Sequence, residues 1–180
     1  MSRLALALLS VSVALPAPLS ARQDHARHHS PYAGQEARDI KALSPEEIAT
    51  LLAGDGMGFA LAAELNGVPG PKHVLELVAD LELSHEQAER VEAVRAAMAG
   101  EAVRLGGLLV EAERALDRAF AHGAAPREHV QRLVRESGEL RARLRAVHLV
   151  AHLDTAEILT AEQIESYRRL RGYAATTGAP

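Results

Sequence analysis

SHEQAERVEAVRAAMAGEAVRLGGLLVEAERALDRAFA, from Ser84 to Ala121, decides the fold. Within it Val91, Val94, Met98, Ala102, Leu105, Leu109, Ala112, Leu116 and Phe120 recur in steps of three and four. At about 100° per residue they fall within a stripe about 80° wide. A stripe this narrow predicts a coiled-coil-like seam rather than the broad apolar face of a globular helix. At 1.5 Å per residue the helix would be roughly 55 Å long. Ser84 is placed to cap its start, with Gln87 reaching back to complete a capping box. Gly100, Gly106 and Gly107 weaken it locally.

His122-Gly123-Ala124-Ala125-Pro126 is a turn of a length that reverses direction. A second helix is expected from about Pro126 to Leu153, with Val130, Leu133, Val134, Leu140, Leu144, Val147 and Ala151 towards one side. The two helices predict an antiparallel hairpin over about 84–153. Thr160-Ala161-Glu162-Gln163 is another capping box and opens a last helix through Ile164, Tyr167 and Leu170, ending at Gly172.

Upstream of the hairpin, Ser44-Pro45-Glu46-Glu47 caps a helix that stops at Gly54. Gly54-Asp55-Gly56-Met57-Gly58 reads as a turn and lacks the Lys-Ser/Thr of a phosphate-binding loop. Phe59 to Leu65 and His73 to Leu81 read as short helices separated by Pro69-Gly70-Pro71. The fold class is all-α: a long antiparallel helical hairpin with short flanking helices, in one helical domain at 44–173. Residues 174–180 are expected to be a disordered tail.

The first residues give a separate signal. Arg3, the apolar run Leu4 to Leu15 and the small pair Ser20-Ala21 follow the order of a secretory signal peptide, assigned to 1–21. An apolar run of about 12 residues falls short of the about 20 that span a bilayer, so no stable membrane anchor is expected. A mobile, His-containing arm is expected at 22–43. The chain has no cysteine, so an exported form would rely on packing alone. A net charge of −4 argues against a general nucleic-acid binder.

Leu83-Ser84-His85-Glu86-Gln87 and Leu159-Thr160-Ala161-Glu162-Gln163 resemble the Leu-Thr-x-x-Gln motif of the Spy/CpxP family of periplasmic envelope-stress proteins. Its relatives include zinc-resistance-associated proteins and heavy-metal sensors. The second copy matches the motif fully; the first has Ser84 in place of Thr. The resemblance covers roughly Leu75 to Tyr173 and implies a periplasmic location and a curved antiparallel homodimer of hairpins. It also implies either an ATP-independent chaperone or adaptor that holds unfolded or envelope proteins, or a metal-binding sensor or buffer.

Nine histidines are the compositional oddity. His148 and His152, four residues apart, lie on one helical face and can approach one ion. Equally, they can be boundary residues that hydrogen-bond across the bundle. Asp154 and Glu157 are nearby donors in sequence, and the arm offers His25, His28 and His29 for loose binding of Zn²⁺ or Cu²⁺. His73, His85, His122 and His129 sit near helix ends and read as solvated, and Met57 as a packing residue. Arg127, Arg132, Arg135, Arg141, Arg143 and Arg145 suggest a basic surface suited to partly acidic clients. No nucleophile–base pair is evident, so no enzyme activity and no required cofactor are expected. A bound Zn, Cu, Ni or Co ion belongs to the sensor reading.

Overall fold

A computed structural model describes residues 30–121, 123 and 125–173. The signal peptide expected at 1–21, His25, His28, His29, His122 and the tail at 174–180 lie outside the described residues. The chain divides into two units, 1–33 and 34–180. Of the first, only 30–33 is described, a turn in which the Ala33 N–H donates to the Ser30 carbonyl.

In the second unit, a 3₁₀ turn at Gln35–Ala37 precedes six α-helices: α1 Pro45–Ala53, α2 Leu61–Glu64, α3 Pro71–Glu76, α4 His85–Ala121, α5 Arg127–Ile158 and α6 Ala161–Leu170. There is no strand among the described residues. The expected capping boxes all form. Ser44, Ser84 and Thr160 each accept the backbone N–H three residues on, and Glu47, Gln87 and Gln163 accept the cap's own N–H.

α4 and α5 make the antiparallel hairpin: Leu108 to Ala115 faces Glu136 to Arg143, and Ala93 to Met98 faces Ala146 to Asp154. On α5 the buried residues are Leu133, Ser137, Leu140, Leu144, His148, Ala151, His152 and Thr155. All but His152 step by three or four along one line, so the seam includes three polar side chains that an apolar pattern passes over. Two of these are satisfied locally. The Ser137 hydroxyl donates to Glu113, and the Thr155 hydroxyl donates 2.7 Å to the Ala151 carbonyl.

Within the hairpin the sequence expectation fails at three places, and before it the helix expected over His73 to Leu81 is Pro71–Glu76 followed by turns. Val134 is exposed because it stands about 100° round the helix from Leu133. Phe120 is also exposed, since the buried residues of α4 end at Ala112 and Phe120 lies past them. α5 continues past Leu153 to Ile158 because His152 and Thr155 are themselves buried. A further difference lies in the segment 35–43, read as the end of a mobile arm. Ile40 is fully buried and Leu43 nearly so, in one cluster with Leu51, Leu105 and Leu109. The Lys41 N–H donates to Asp117 and Asp39 pairs with Arg114, so two α4 side chains hold this turn in place.

α1 and α3 pack on α4, while α2 and α3 also reach α5, so this segment covers one face of the hairpin. The closest approach is at Gly106, where an added Cβ would lie 2.0 Å from the Leu51 carbonyl oxygen. Gly107, one residue on, faces open space. The two glycines therefore predict opposite signs. Gly107→Ala should stabilise by about 0.5–1 kcal/mol through helix propensity. Gly106→Ala should destabilise by about 1–3 kcal/mol because α1 must shift. Urea unfolding followed by helical circular dichroism reads both, and equal signs would contradict the packing of α1 described here.

Candidate functional site

The two motif glutamines meet. In each capping box the glutamine oxygen is used on the cap's N–H, which leaves an amide NH₂ to place. Gln87 Nε2 donates 2.8 Å to Gln163 Oε1 and 3.0 Å to the Ile158 carbonyl. Gln163 Nε2 donates 3.1 Å to Gln87 Oε1 and 3.1 Å to the Leu81 carbonyl. Each oxygen accepts twice and each nitrogen donates twice, so both amides are fully satisfied. Glutamate would cap equally well but has no proton to give, and two facing carboxylates would repel. This reciprocal clasp ties the start of α4 to the start of α6. Beneath it lies an apolar cluster of Val74, Leu81, Val91, Leu159 and Tyr167, with the first motif's Leu83 packed against it.

A family model described as LTXXQ motif family protein matches residues 71–171, more than half of the chain. The chain belongs to this family. The match contains both members of the clasp and the whole hairpin, and begins at Pro71, after α1 and α2. No curated protein and no solved structure matches the chain.

Outside the family match, α2 brings Glu64 into the interior at 8% exposure. Its carboxylate accepts the Tyr167 hydroxyl at 3.0 and 2.9 Å, the Tyr173 hydroxyl at 3.0 Å, and Arg171 at 3.1 Å from Nε and 3.0 Å from Nη2. Burial, followed by the carboxylate it faces, keeps the Tyr167 phenol protonated well above its usual range. A charge so enclosed is stable only because the donors surround it. Sequence reading offered no sign of this residue, since its partners lie about a hundred positions away.

The same segment covers the two histidines singled out from sequence. His152 is buried; its Nδ1–H donates 2.9 Å to the Val68 carbonyl, and the same nitrogen lies 4.0 Å from Glu64. Gly70 lets the chain pass over the ring, since a Cβ there would lie 2.7 Å from His152 Nε2. The expectation that these residues bond across the bundle is thus met by His152. His148, 4% exposed, stacks on Phe59 with ring centroids 5.9 Å apart. Its Nε2 is buried with no hydrogen-bond partner among the described residues. Both rings line a cleft of about 390 Å³, together with Asp55, Met57, Glu64 and Met98.

No group of three or more His, Asp or Glu placed to hold a metal ion occurs among the described residues. Asp154 turns to the other side of α5, against Ala93 and Ala97. His73 pairs with Glu76, His85 with Glu89, and His129 touches Arg132, all near helix ends as expected. The α5 arginines do not share a side. At about 100° per residue Arg143 lies with Glu136, whereas Arg127, Arg141 and Arg145 face away from it.

Tyr167→Phe should cost about 1–3 kcal/mol by removing a donor from a buried carboxylate. Coupled to Glu64→Gln in a double-mutant cycle, it should show clear non-additivity in urea unfolding; additive losses would separate the two groups. His148 supplies a pH test. Burial, followed by the neighbouring His152, lowers its pKa, against a smaller opposing effect of Asp55. The folded ring therefore stays neutral where the unfolded ring takes up a proton. Its contribution is fully present above about pH 6.5 and is lost as pH falls through the lowered folded value. His148→Leu should flatten the decline of stability below that pH, by at most about 1.4 kcal/mol per pH unit.

Proposed function

We propose that this chain is an envelope protein of the Spy/CpxP kind, a non-enzymatic, ATP-independent chaperone or adaptor that binds unfolded or regulatory proteins. The reading includes export to the periplasm and a homodimer of hairpins. The observation that carries it is the hairpin face left uncovered by α1–α3. There, Ala93, Val94, Ala97 and Met98 of α4 and Val147 and Val150 of α5 line an open apolar groove of about 540 Å³. Val150 is 49% exposed, and Leu108, farther along the same side of α4, is 43% exposed. Family membership supports the same reading. A shallow apolar surface suits weak, sequence-tolerant contact with unfolded chains, since each side chain adds a small burial energy.

The purified protein should suppress aggregation of a chemically unfolded client near equimolar ratio. Val150→Asp combined with Leu108→Asp should reduce that suppression several-fold with an unchanged thermal melt. No suppression by the parent protein would overturn the proposal, and light scattering reads the dimer directly.

A second reading, a metal sensor or buffer, is favoured by one observation: the unpartnered Nε2 of His148 beside His152 in the cleft. Zn, Cu, Ni or Co would need further donors, and His25, His28 and His29 are the other candidate ligands of this reading. Calorimetric titration of each ion into the protein and into a His148→Ala/His152→Ala variant separates the readings. Binding that the variant retains would exclude the helix pair.

A further inference from the structure

Resting on the protein-binding reading, we propose that the open α4–α5 face docks polypeptide segments that carry Lys or Arg beside apolar side chains. Farther along the hairpin lies a second hollow of about 370 Å³ floored by Leu108, Ala112, Ala115 and Leu140. The charged residues lining the two are Glu111, Glu136, Glu139 and Asp154 against one arginine, Arg143. Glu136, Glu139 and Asp154 have no ion pair and no hydrogen bond from their side chains among the described residues. At about 100° per residue they share one side of α5 within about 60°. Arg143 is already turned to Glu101, at 4.0 Å, which Arg104 also holds. Arg132, one turn before Glu136, closes the acidic stretch. The face thus presents two apolar hollows with unpaired carboxylates along their α5 edge, and the Glu101–Arg104–Arg143 cluster stands between them.

Charge complementarity favours a cationic occupant. Two copies packed through this face would set like charges against each other, which disfavours a second copy of the chain there. From Glu136 to Asp154 the α5 edge runs about 27 Å at 1.5 Å per residue. That length takes about eight residues of extended peptide at about 3.3 Å each. An alternating apolar and basic segment would put one set of side chains in the hollows and the other at the edge. This reverses the expectation from the arginine count of α5, which suggested acidic clients.

The test uses the full chain and three fluorescein-labelled octapeptides, alternating Leu-Lys, Leu-Glu and Ser-Lys, read by fluorescence polarisation. The Leu-Lys peptide should bind at least tenfold more tightly than either of the others, and its affinity should fall as salt is raised. Glu136→Gln/Glu139→Gln/Asp154→Asn should weaken Leu-Lys binding about tenfold, with the thermal melt unchanged because these side chains are unpaired. Equal binding of Leu-Lys and Leu-Glu, or unchanged binding by the triple variant, would overturn the inference. So would a dimer whose formation blocks Leu-Lys binding. Suppression of client aggregation separates this failure from that of the proposed function. If suppression persists while the peptides show no charge preference, only the inference fails; if suppression and all peptide binding are absent, the binding reading fails as well.

Discussion

The carboxylate of Glu64 is the constraint on which the packing around the cleft depends. A carboxylate removed from water must be met by donors or it destabilises the fold by several kcal/mol. Tyr167, Arg171 and Tyr173 meet it, and they come from α6 and the residues just after it. Their convergence fixes α2 against α6, and the Arg168 guanidinium, bonded to the Gly67 carbonyl, extends the same contact. With α2 so fixed, the loop from Gly67 to Pro71 passes over α5, where Val68 and Gly70 enclose His152. The cleft around His148 exists because this segment is held down at both ends, by Glu64 here and by Leu51 against Gly106 on α4.

Two polar devices in the same molecule therefore have different purposes. The Gln87–Gln163 clasp is neutral and reciprocal, and joins two helix starts that the family match contains. The Glu64 cluster is ionic and lies partly outside that match, Glu64 itself being in the segment before it. The first accounts for the hairpin's junction with α6. The second shapes what covers one face of the hairpin and so decides which face is left for a partner. Where α1–α3 lie, the hairpin is closed and carries histidines; on the opposite side it is open, apolar and acidic.

Much of the fold was legible because its signals are local. A capping box spans only four residues, and Ser44, Ser84 and Thr160 each start a helix as their spacing predicts. The seam of α4 follows from periodicity, since a helix turns the same side chains to the same side regardless of its neighbours. The failures have a common origin. Ser137 and Thr155 were left out of the α5 seam because they are polar, whereas a polar side chain can be buried if its bonds are met, as theirs are by Glu113 and the Ala151 carbonyl. Val134 was included for the opposite reason, an apolar residue taken as core.

The amino-acid sequence alone determined the helices, their caps, the hairpin and the two motifs, because each depends on contacts within a few turns of chain. It also marked His148 and His152 as a pair. Only the tertiary structure decided that Ile40 and Leu43 belong to the core, that Glu64 is buried, that His152 is bonded while His148 is not, and that Glu136, Glu139 and Asp154 border an open groove. Those outcomes depend on which face of the hairpin the segment before it covers. That choice is set by side chains more than a hundred positions apart, a distance over which a linear pattern carries no information about contact.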